Sequence, residues 1–153
     1  MKHQPSVSYP QWFCFWIFLL AFGASGCSTF NHDWKAAATS PTPAGDLQGR
    51  WQGVWQSDVN HHTGKLRCLL TRIGDNQYRA RYHATYSKIM TFTYAVDLSV
   101  EPKDATFAIG GAANLGWLAG GEYRYAGTVT PTNFFSTYES RYDHGTFQMS
   151  RPK

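Results

Sequence analysis

Residues 78–86 alternate strictly between two kinds of side chain, and this pattern limits the fold more than any other feature of the chain. One set consists of Tyr78, Ala80, Tyr82, Ala84 and Tyr86. The other set consists of Arg79, Arg81, His83 and Thr85. Because successive side chains of a β-strand point to opposite faces, the period of two predicts a strand with one aromatic face and one polar face.

Seven further segments have the composition of strands and are separated by turn residues such as Gly74-Asp75-Asn76-Gln77. The eight predicted strands are 50–57, 65–73, 78–86, 90–100, 105–109, 122–130, 134–139 and 146–151. The 6 Trp, 9 Tyr and 10 Phe fit this assignment, since aromatic residues favour strands. No segment of helical length shows a capped apolar period of 3.6. Residues 47–153 are therefore predicted to form an all-β domain, an antiparallel up-and-down barrel or meander of about eight strands.

A glycine-rich segment, residues 110–121, follows the fifth predicted strand. It lacks the lysine and the Ser/Thr ending of a phosphate-binding loop and does not open a helix. We expect a loop at the barrel mouth instead, with Leu115, Trp117 and Leu118 turned inward.

Residues 1–26 are predicted to be a signal peptide. An uncharged apolar run extends from residue 12 to residue 22 after a weakly basic start. The run is shorter than the roughly 20 apolar residues that span a bilayer, and its length is typical of a signal peptide.

Ala24-Ser25-Gly26-Cys27 resembles the lipobox of bacterial lipoproteins, although Ala24 stands where leucine is usual. The resemblance implies cleavage before Cys27 and a diacylglyceryl group on its thiol. The alternative is an ordinary signal peptide cut near Ala24 or Gly26, with Cys27 incidental.

Residues 27–46 are predicted to be the lipidated N-terminus followed by a flexible, disordered linker. Small residues and two prolines between residues 36 and 45 offer too little apolar surface to order it. Trp34 is the exception, and lies either on lipid headgroups or back on the domain. Stable anchoring needs more than one acyl chain, and the diacylglyceryl and palmitoyl chains of mature lipoproteins meet this need. In known lipoproteins, aspartate directly after the lipidated cysteine favours retention in the inner membrane. Ser28 stands at that position, so the resemblance implies transfer to the outer membrane.

The charge and the cysteines exclude further classes of protein. The precursor carries a formal charge of +4, which falls to +3 when Lys2 leaves with the signal peptide. This small positive charge is not concentrated in a basic stripe of the kind that nucleic-acid binding needs. Of three cysteines, Cys14 leaves with the signal and Cys27 is lipidated, so Cys68 has no disulfide partner. Its apolar neighbours predict a buried, inert thiol.

Eight aromatic residues are candidates for the wall of a ligand site or for a packed core. They are Trp51, Trp55, Tyr78, Tyr82, Tyr86, Tyr123, Tyr125 and Tyr138. Small-molecule sites are apolar with a few placed polar groups, which tyrosines can supply. The alternative is that the rings fill a narrow barrel whose interior holds only side chains.

Gly49-Arg50-Trp51 and Gly53-Val54-Trp55 open the first predicted strand. They resemble the Gly-x-Trp opening of the calycins, the lipocalin and avidin-like barrels. The resemblance implies that a first-strand tryptophan packs across the barrel base and that an arginine of the last strand lies over it. Trp51 or Trp55 would take the first role, and Arg151 the second, as a cation–π contact. Residues 138–149 also look like an uncharacterised family of short envelope lipoproteins, which implies no function.

Four histidines and one aspartate are of the residue types that hold metals or act in hydrolysis. They are His61, His62, His83, His144 and Asp143. Neighbouring histidines in an extended segment point in opposite directions, so His61 and His62 would need further ligands. Asp143-His144-Gly145 has the composition of a turn, and the chain has no Gly-x-Ser-x-Gly nucleophile elbow. We predict no catalytic residue, metal site or cofactor, unless three of these side chains converge.

These observations together favour a non-enzymatic lipoprotein of the cell envelope. The lipid at Cys27 would hold it at the outer membrane, facing the periplasm. Its barrel would bind a small apolar or amphipathic ligand, or an envelope protein. A structural or assembly role at the outer membrane is the alternative, and a hydrolytic or metal-dependent enzyme is the third hypothesis.

Overall fold

The structure is a computed structural model that describes residues 29–41, 45–87, 90–117 and 120–153. The predicted signal peptide, the lipobox and Cys27 lie outside the described residues, as does Leu118. In the part of the chain that is described, no helix is long and apolar enough to cross a membrane.

Eight antiparallel strands form a closed barrel in which each strand pairs with its sequence neighbours and β1 pairs with β8. The strands are β1 (Gly49–Ser57), β2 (Thr63–Gly74), β3 (Gln77–Tyr86), β4 (Met90–Lys103), β5 (Thr106–Asn114), β6 (Glu122–Val129), β7 (Asn133–Glu139) and β8 (His144–Ser150). The predicted all-β, up-and-down barrel of eight strands is confirmed. Closure leaves no unpaired strand edge.

The alternation of residues 78–86 places the aromatic face inside the barrel, as the sequence predicts. Tyr78 and Tyr82 are buried in the interior, whereas Arg79 lies outside and donates two hydrogen bonds to Asp97. The other strands follow the same rule. Interior side chains that are completely buried include Trp51, Leu66, Cys68, Ala80, Tyr82, Leu98 and Val129. Burial of Cys68 is also as predicted, and it raises the pKa of the thiol.

The two ends of the barrel differ. The mouth is the end formed by the turns that follow β1, β3, β5 and β7, and the base is the end formed by the turns that follow β2, β4 and β6. Trp51 and Arg151 close the base. The guanidinium of Arg151 lies 4.0 Å from the centroid of the Trp51 ring, which is the contact that the Gly-x-Trp resemblance implies. Trp51 donates its indole N–H to the carbonyl of Leu47 at 2.9 Å.

Arg151 also ties together chain segments that are distant in sequence. Its guanidinium donates to the carbonyl oxygens of Asp46 (2.9 Å), Gln48 (2.6 Å) and Pro131 (3.2 Å). These bonds join the segment before β1, the turn after β6 and the end of β8. The base is therefore closed by a cation–π contact and by charge-assisted hydrogen bonds.

Residues 29–39 form a helix, α1, where the sequence analysis expected part of a disordered linker. The reason is a short apolar stripe, because Phe30, Trp34 and Ala37 recur at helical spacing and lie on one face. The run of alanines that follows residue 35 also favours the helical conformation. The expectation that no segment has helical periodicity is therefore wrong here, and Trp34 lies on the domain.

The outer wall of β2 and β3 holds α1 in place. Phe30 is completely buried and stacks on His83 with ring centroids 5.0 Å apart. The Arg67 guanidinium lies 5.2 Å from the Phe30 ring centroid and 5.3 Å from that of Trp34. Asp33 accepts a hydrogen bond from Arg81 at 2.7 Å, and this bond holds the pKa of the Asp33 carboxyl below its usual value.

The glycine-rich segment differs from its prediction in two ways. Its first half belongs to β5, which continues to Asn114 and pairs with β6. Trp117 is 84% exposed rather than turned inward, and Leu115 alone of the described apolar residues in this loop contacts the interior. Gly116, Gly120 and Gly121 have positive φ angles of 86°, 100° and 79°, so the direction of this loop depends on residues without a Cβ.

Candidate functional site

A cup of about 450 Å³ opens at the mouth of the barrel. Most of its lining is aromatic. The lining residues are Trp55, Ala84, Tyr86, Phe92, Tyr94, Leu115, Tyr123, Tyr125, Tyr138, Asp143 and Phe147. Six of the eight strands contribute, along with the turn after β5 and the turn after β7.

The floor of the cup is a layer of stacked rings. Tyr82 is completely buried below it, with its ring centroid 5.3 Å from those of Tyr94 and Phe147 and 6.1 Å from that of Tyr125. Aromatic pairs at such separations contribute beyond the area that they bury. Among the described residues, side chains therefore fill the interior toward the base, and the hollow lies toward the mouth.

Small inward-facing residues explain the hollow. Ala84 on β3 lines the cup. Ala113, at the same end of the barrel on β5, packs against the core. At the base end of the interior, the corresponding positions carry bulky residues such as Trp51 and Tyr78. Glycine at position 145 has a different explanation, because a Cβ there would collide with the backbone carbonyl of Gln56.

Asp143 is the one charged residue among the described side chains that line the cup. Its Oδ1 accepts a hydrogen bond from the Ser57 hydroxyl at 2.6 Å, and its Oδ2 accepts one from the Tyr138 hydroxyl at 3.1 Å. Each carboxylate oxygen has a second lone pair, so both can accept a further hydrogen bond. The cup thus combines an apolar lining with one fixed anionic acceptor.

Three of the phenols that line the cup, those of Tyr94, Tyr125 and Tyr138, are held in their neutral form. Burial raises the pKa of Tyr94 and of Tyr125. Burial and, after it, the negative charge of Asp143 raise the pKa of Tyr138. These three hydroxyls keep their protons at physiological pH, and that of Tyr138 donates its hydrogen bond to Asp143.

The rim of the cup carries a second polar group. The Tyr86 hydroxyl lies 2.7 Å from Nδ1 of His62, and the Tyr86 ring stacks on Trp55 at 6.0 Å between centroids. Trp55 is fixed in turn by its indole N–H, which donates to the carbonyl of Thr85 at 3.1 Å. These contacts hold the rings of Trp55 and Tyr86 side by side at the entrance.

The eight aromatic candidates divide between the two expected roles. Those that line the cup are Trp55, Tyr86, Tyr123, Tyr125 and Tyr138. Tyr82 is buried directly below the floor. Trp51 and Tyr78 lie at the base, where the Tyr78 hydroxyl accepts two hydrogen bonds from Arg72 and donates one to Asp46. The barrel interior is thus part packed core and part cavity.

The histidines do not converge. His62 lies at the rim, His83 lies under α1 on the outer wall, and His144 is exposed at the start of β8. Within the described ranges, no three His, Cys, Asp or Glu side chains are placed to hold a metal ion. The condition that the metal-dependent hypothesis requires is not met by these residues.

Six lining residues are absent from the aromatic set that the sequence singled out: Ala84, Phe92, Tyr94, Leu115, Asp143 and Phe147. The alternation of residues 90–100 places Phe92 and Tyr94 on the interior face, so a signal for both existed. The sequence named Asp143 as a candidate for metal binding or hydrolysis, but its turn composition gave no signal that it lines a cup. No family model, curated protein or solved structure matches this chain.

Proposed function

We propose that this chain is a lipoprotein of the cell envelope, anchored by lipid on Cys27 at the periplasmic face of the outer membrane. On the same proposal, its barrel is a non-enzymatic binding domain for a small amphipathic molecule. The observation that supports the binding role is the aromatic cup with Asp143 on its wall. The lipobox-like segment supports the anchor.

The size and lining of the cup define the ligand. A volume of about 450 Å³ lies within the range of small-molecule sites, roughly 300–1,000 Å³. The ring faces and Leu115 would surround an apolar body. Asp143 can accept a hydrogen bond but cannot donate one while ionised, so it favours a donor or a cationic end. The negative faces of the rings favour a cation as well. A carboxylate or phosphate end would be repelled, and the ligand we propose is a small amphipathic amine or ammonium compound.

Isothermal titration with three eight-carbon probes tests this proposal. Octylamine, octanol and octanoate share an apolar chain and differ in the charge of one end. We expect binding to weaken in that order, because Asp143 attracts the ammonium group and repels the carboxylate. Equal binding of octylamine and octanoate would show that the carboxylate does not select the ligand.

Two alanine variants show whether the cup is the site. Ala84→Trp places a large ring inside the cup and should abolish binding. Ala126→Trp adds the same ring on the exposed outer face of β6 and should leave binding intact. If Ala84→Trp binds octylamine as the wild type does, the ligand binds elsewhere.

The anchor has its own test. The mass of the protein purified from bacterial envelopes should correspond to a chain that begins at Cys27 and carries acyl groups. Cys27→Ala should remain unlipidated and leave the membrane fraction. A mature chain that begins elsewhere, without acyl groups, would remove the anchor and leave the binding proposal untouched.

A further inference from the structure

The direction of α1 along the barrel has a consequence for how the protein sits on a membrane. Near its start, Phe30 contacts His83 and Arg67, which lie toward the mouth ends of β3 and β2. Near its end, Ala37 borders a groove with Leu69 and Thr71, which lie toward the base end of β2. The helix therefore runs from the mouth side to the base side, and its first residues are those nearest to Cys27.

Chain length then limits where Cys27 can lie. It precedes Phe30 by three residues, which span at most about 11 Å. His83, the partner of Phe30, is six residues from the base end of β3 at Gln77. That distance is about 20 Å along the strand, or about 15 Å along the axis of a barrel whose strands tilt by about 40°. The reach of three residues is shorter than this distance, so a lipid on Cys27 favours the mouth over the base as the end that faces the bilayer.

The surface of the mouth is also the more apolar one. Among the described residues, eight large apolar side chains are exposed. Five of them lie on or beside the mouth turns, namely Val59, Met90, Phe92, Trp117 and Tyr142. The outer wall carries Val54 and Phe135, and the base carries Ile73. Aromatic and apolar side chains of this kind bury themselves at the boundary between headgroups and acyl chains.

We infer that the mouth of the barrel rests on the membrane that holds the Cys27 lipid, so that the cup opens toward the bilayer. This inference depends on the proposed anchor. The helix fixes the orientation, because Phe30 and Trp34 are packed under arginines and Asp33 is paired with Arg81. An amphipathic ligand dissolved in the membrane surface would then enter the cup without crossing bulk water. Trp117 and Phe92 would be the rim residues that touch lipid.

Site-specific labelling of the lipidated protein in vesicles tests the orientation. Cys68 is buried and the Cys27 thiol would be acylated, so a single introduced cysteine can carry the fluorophore. Arg141→Cys marks the mouth, Thr132→Cys the base, and Lys35→Cys the exposed side of α1. The vesicles contain phosphatidylethanolamine and phosphatidylglycerol with and without brominated acyl chains. We expect the brominated lipids to quench the Arg141 label and to leave the Thr132 and Lys35 labels unchanged.

Two other outcomes would overturn the inference. Stronger quenching at Lys35 than at Arg141 would mean that the barrel lies on its helical side. No quenching at any of the three positions, in protein whose acylation is confirmed by mass, would mean that the barrel is held away from the bilayer. If the mass shows no acyl groups, the proposed anchor fails and this orientation fails with it, and the mass measurement distinguishes that case from the first two.

A pair of serine variants checks that the rim makes the contact. Trp117→Ser removes the most exposed aromatic residue of the mouth and should reduce quenching of the Arg141 label. Phe135→Ser removes an exposed aromatic residue from the outer wall and should not. Equal quenching in both variants would show that Trp117 does not make the contact with lipid.

Discussion

The two tryptophans of β1 occupy opposite ends of the same inward-facing row. Trp51 is completely buried at the base, where Arg151 covers its ring and Leu47 accepts its N–H. Trp55, four residues farther along, is partly exposed at the mouth and lines the cup. The same residue type therefore closes one end of the barrel and forms the wall of an open site at the other.

The difference between the ends lies in what surrounds each ring. At the base, Arg151 covers the Trp51 ring and is itself held by three backbone carbonyls. At the mouth, Trp55 and the small side chain of Ala84 border the open space of the cup. A barrel of eight strands is just wide enough to be filled by side chains or to hold one small ligand. This one is filled at the base and hollow at the mouth, so we expect stability to depend mainly on the base and the proposed binding on the mouth.

The largest expected effect separates the two tryptophans. Trp51→Ala should lower the free energy of unfolding by about 3–5 kcal/mol, because it leaves a cavity in a packed region. Trp55→Ala should lower it by about 1 kcal/mol, since its ring is partly exposed. Urea denaturation followed by far-ultraviolet circular dichroism measures both. The octylamine affinity should show the opposite order, because Trp55→Ala should weaken binding more than Trp51→Ala does.

Trp51→Phe is a milder variant whose stability can be measured if Trp51→Ala does not fold. It keeps a ring under Arg151 but loses the hydrogen bond to Leu47, so its loss of stability should be intermediate. If Trp55→Ala destabilises the protein as much as Trp51→Ala does, the division between a structural base and a binding mouth is wrong.

A smaller effect is expected at Arg151. Arg151→Lys keeps the charge but cannot reproduce a planar guanidinium that bonds several carbonyls. We expect a loss of about 1.5–3 kcal/mol, the range of hydrogen bonds to charged groups. Arg124→Lys is the matched control, because Arg124 is exposed and pairs with Glu122 on the surface. Equal stability of the two variants would mean that the carbonyl bonds of Arg151 do not hold the base closed.

The sequence predicts the barrel because its strand signals are local. Each strand shows period-two alternation or a bounded apolar run, and turn residues separate them, so the strand bounds deviate from the prediction by only a few residues at most ends. The same alternation identifies the interior rings, and the Gly-x-Trp opening led to the contact between Trp51 and Arg151. The exception is β5, whose glycines and alanines resemble a loop in composition but pair with β6.

The hollow could not be predicted in this way, because it depends on which side chains meet across the barrel. Ala84 is one of two alanines on the inward face of β3, and only the closed barrel shows that Ala80 is packed while Ala84 borders space. Asp143 reaches the cup through the turn after β7, which a one-dimensional pattern does not place. The helix was missed because its stripe is short and its stability comes from packing against His83 and Arg67.

A more selective test of the mouth is Asp143→Asn. The variant keeps the shape of the side chain and removes its charge, so the affinity for octylamine should fall about tenfold, or about 1.4 kcal/mol. Octanol has no charge and should bind almost as before. Asp97→Asn, which changes an exposed carboxylate on the outer wall, should affect neither probe. Titration calorimetry measures all four combinations, and an equal loss for both probes would show that Asp143 supports the cup without selecting its ligand.

The smallest expected effect concerns α1, which links the mouth side of the wall to the base side. Burial and, after it, the charge of Arg67 lower the pKa of His83, which lies under Phe30 with Thr93 as its hydrogen-bond partner. The undocked state, whose histidine has an ordinary pKa of about 6.5, then binds the proton more readily than the docked state. Docking of α1 should therefore be complete above that pH and weaken as the pH falls below it. Hydrogen exchange of residues 33–37, whose amides donate within the helix, should increase at about pH 5.5 relative to about pH 7.5 after correction for intrinsic rates, while amides of the base keep their protection. His83→Phe keeps a ring under Phe30 and cannot titrate, so its helix should lose this pH dependence; a helix that still loosens in acid would place the proton on another group.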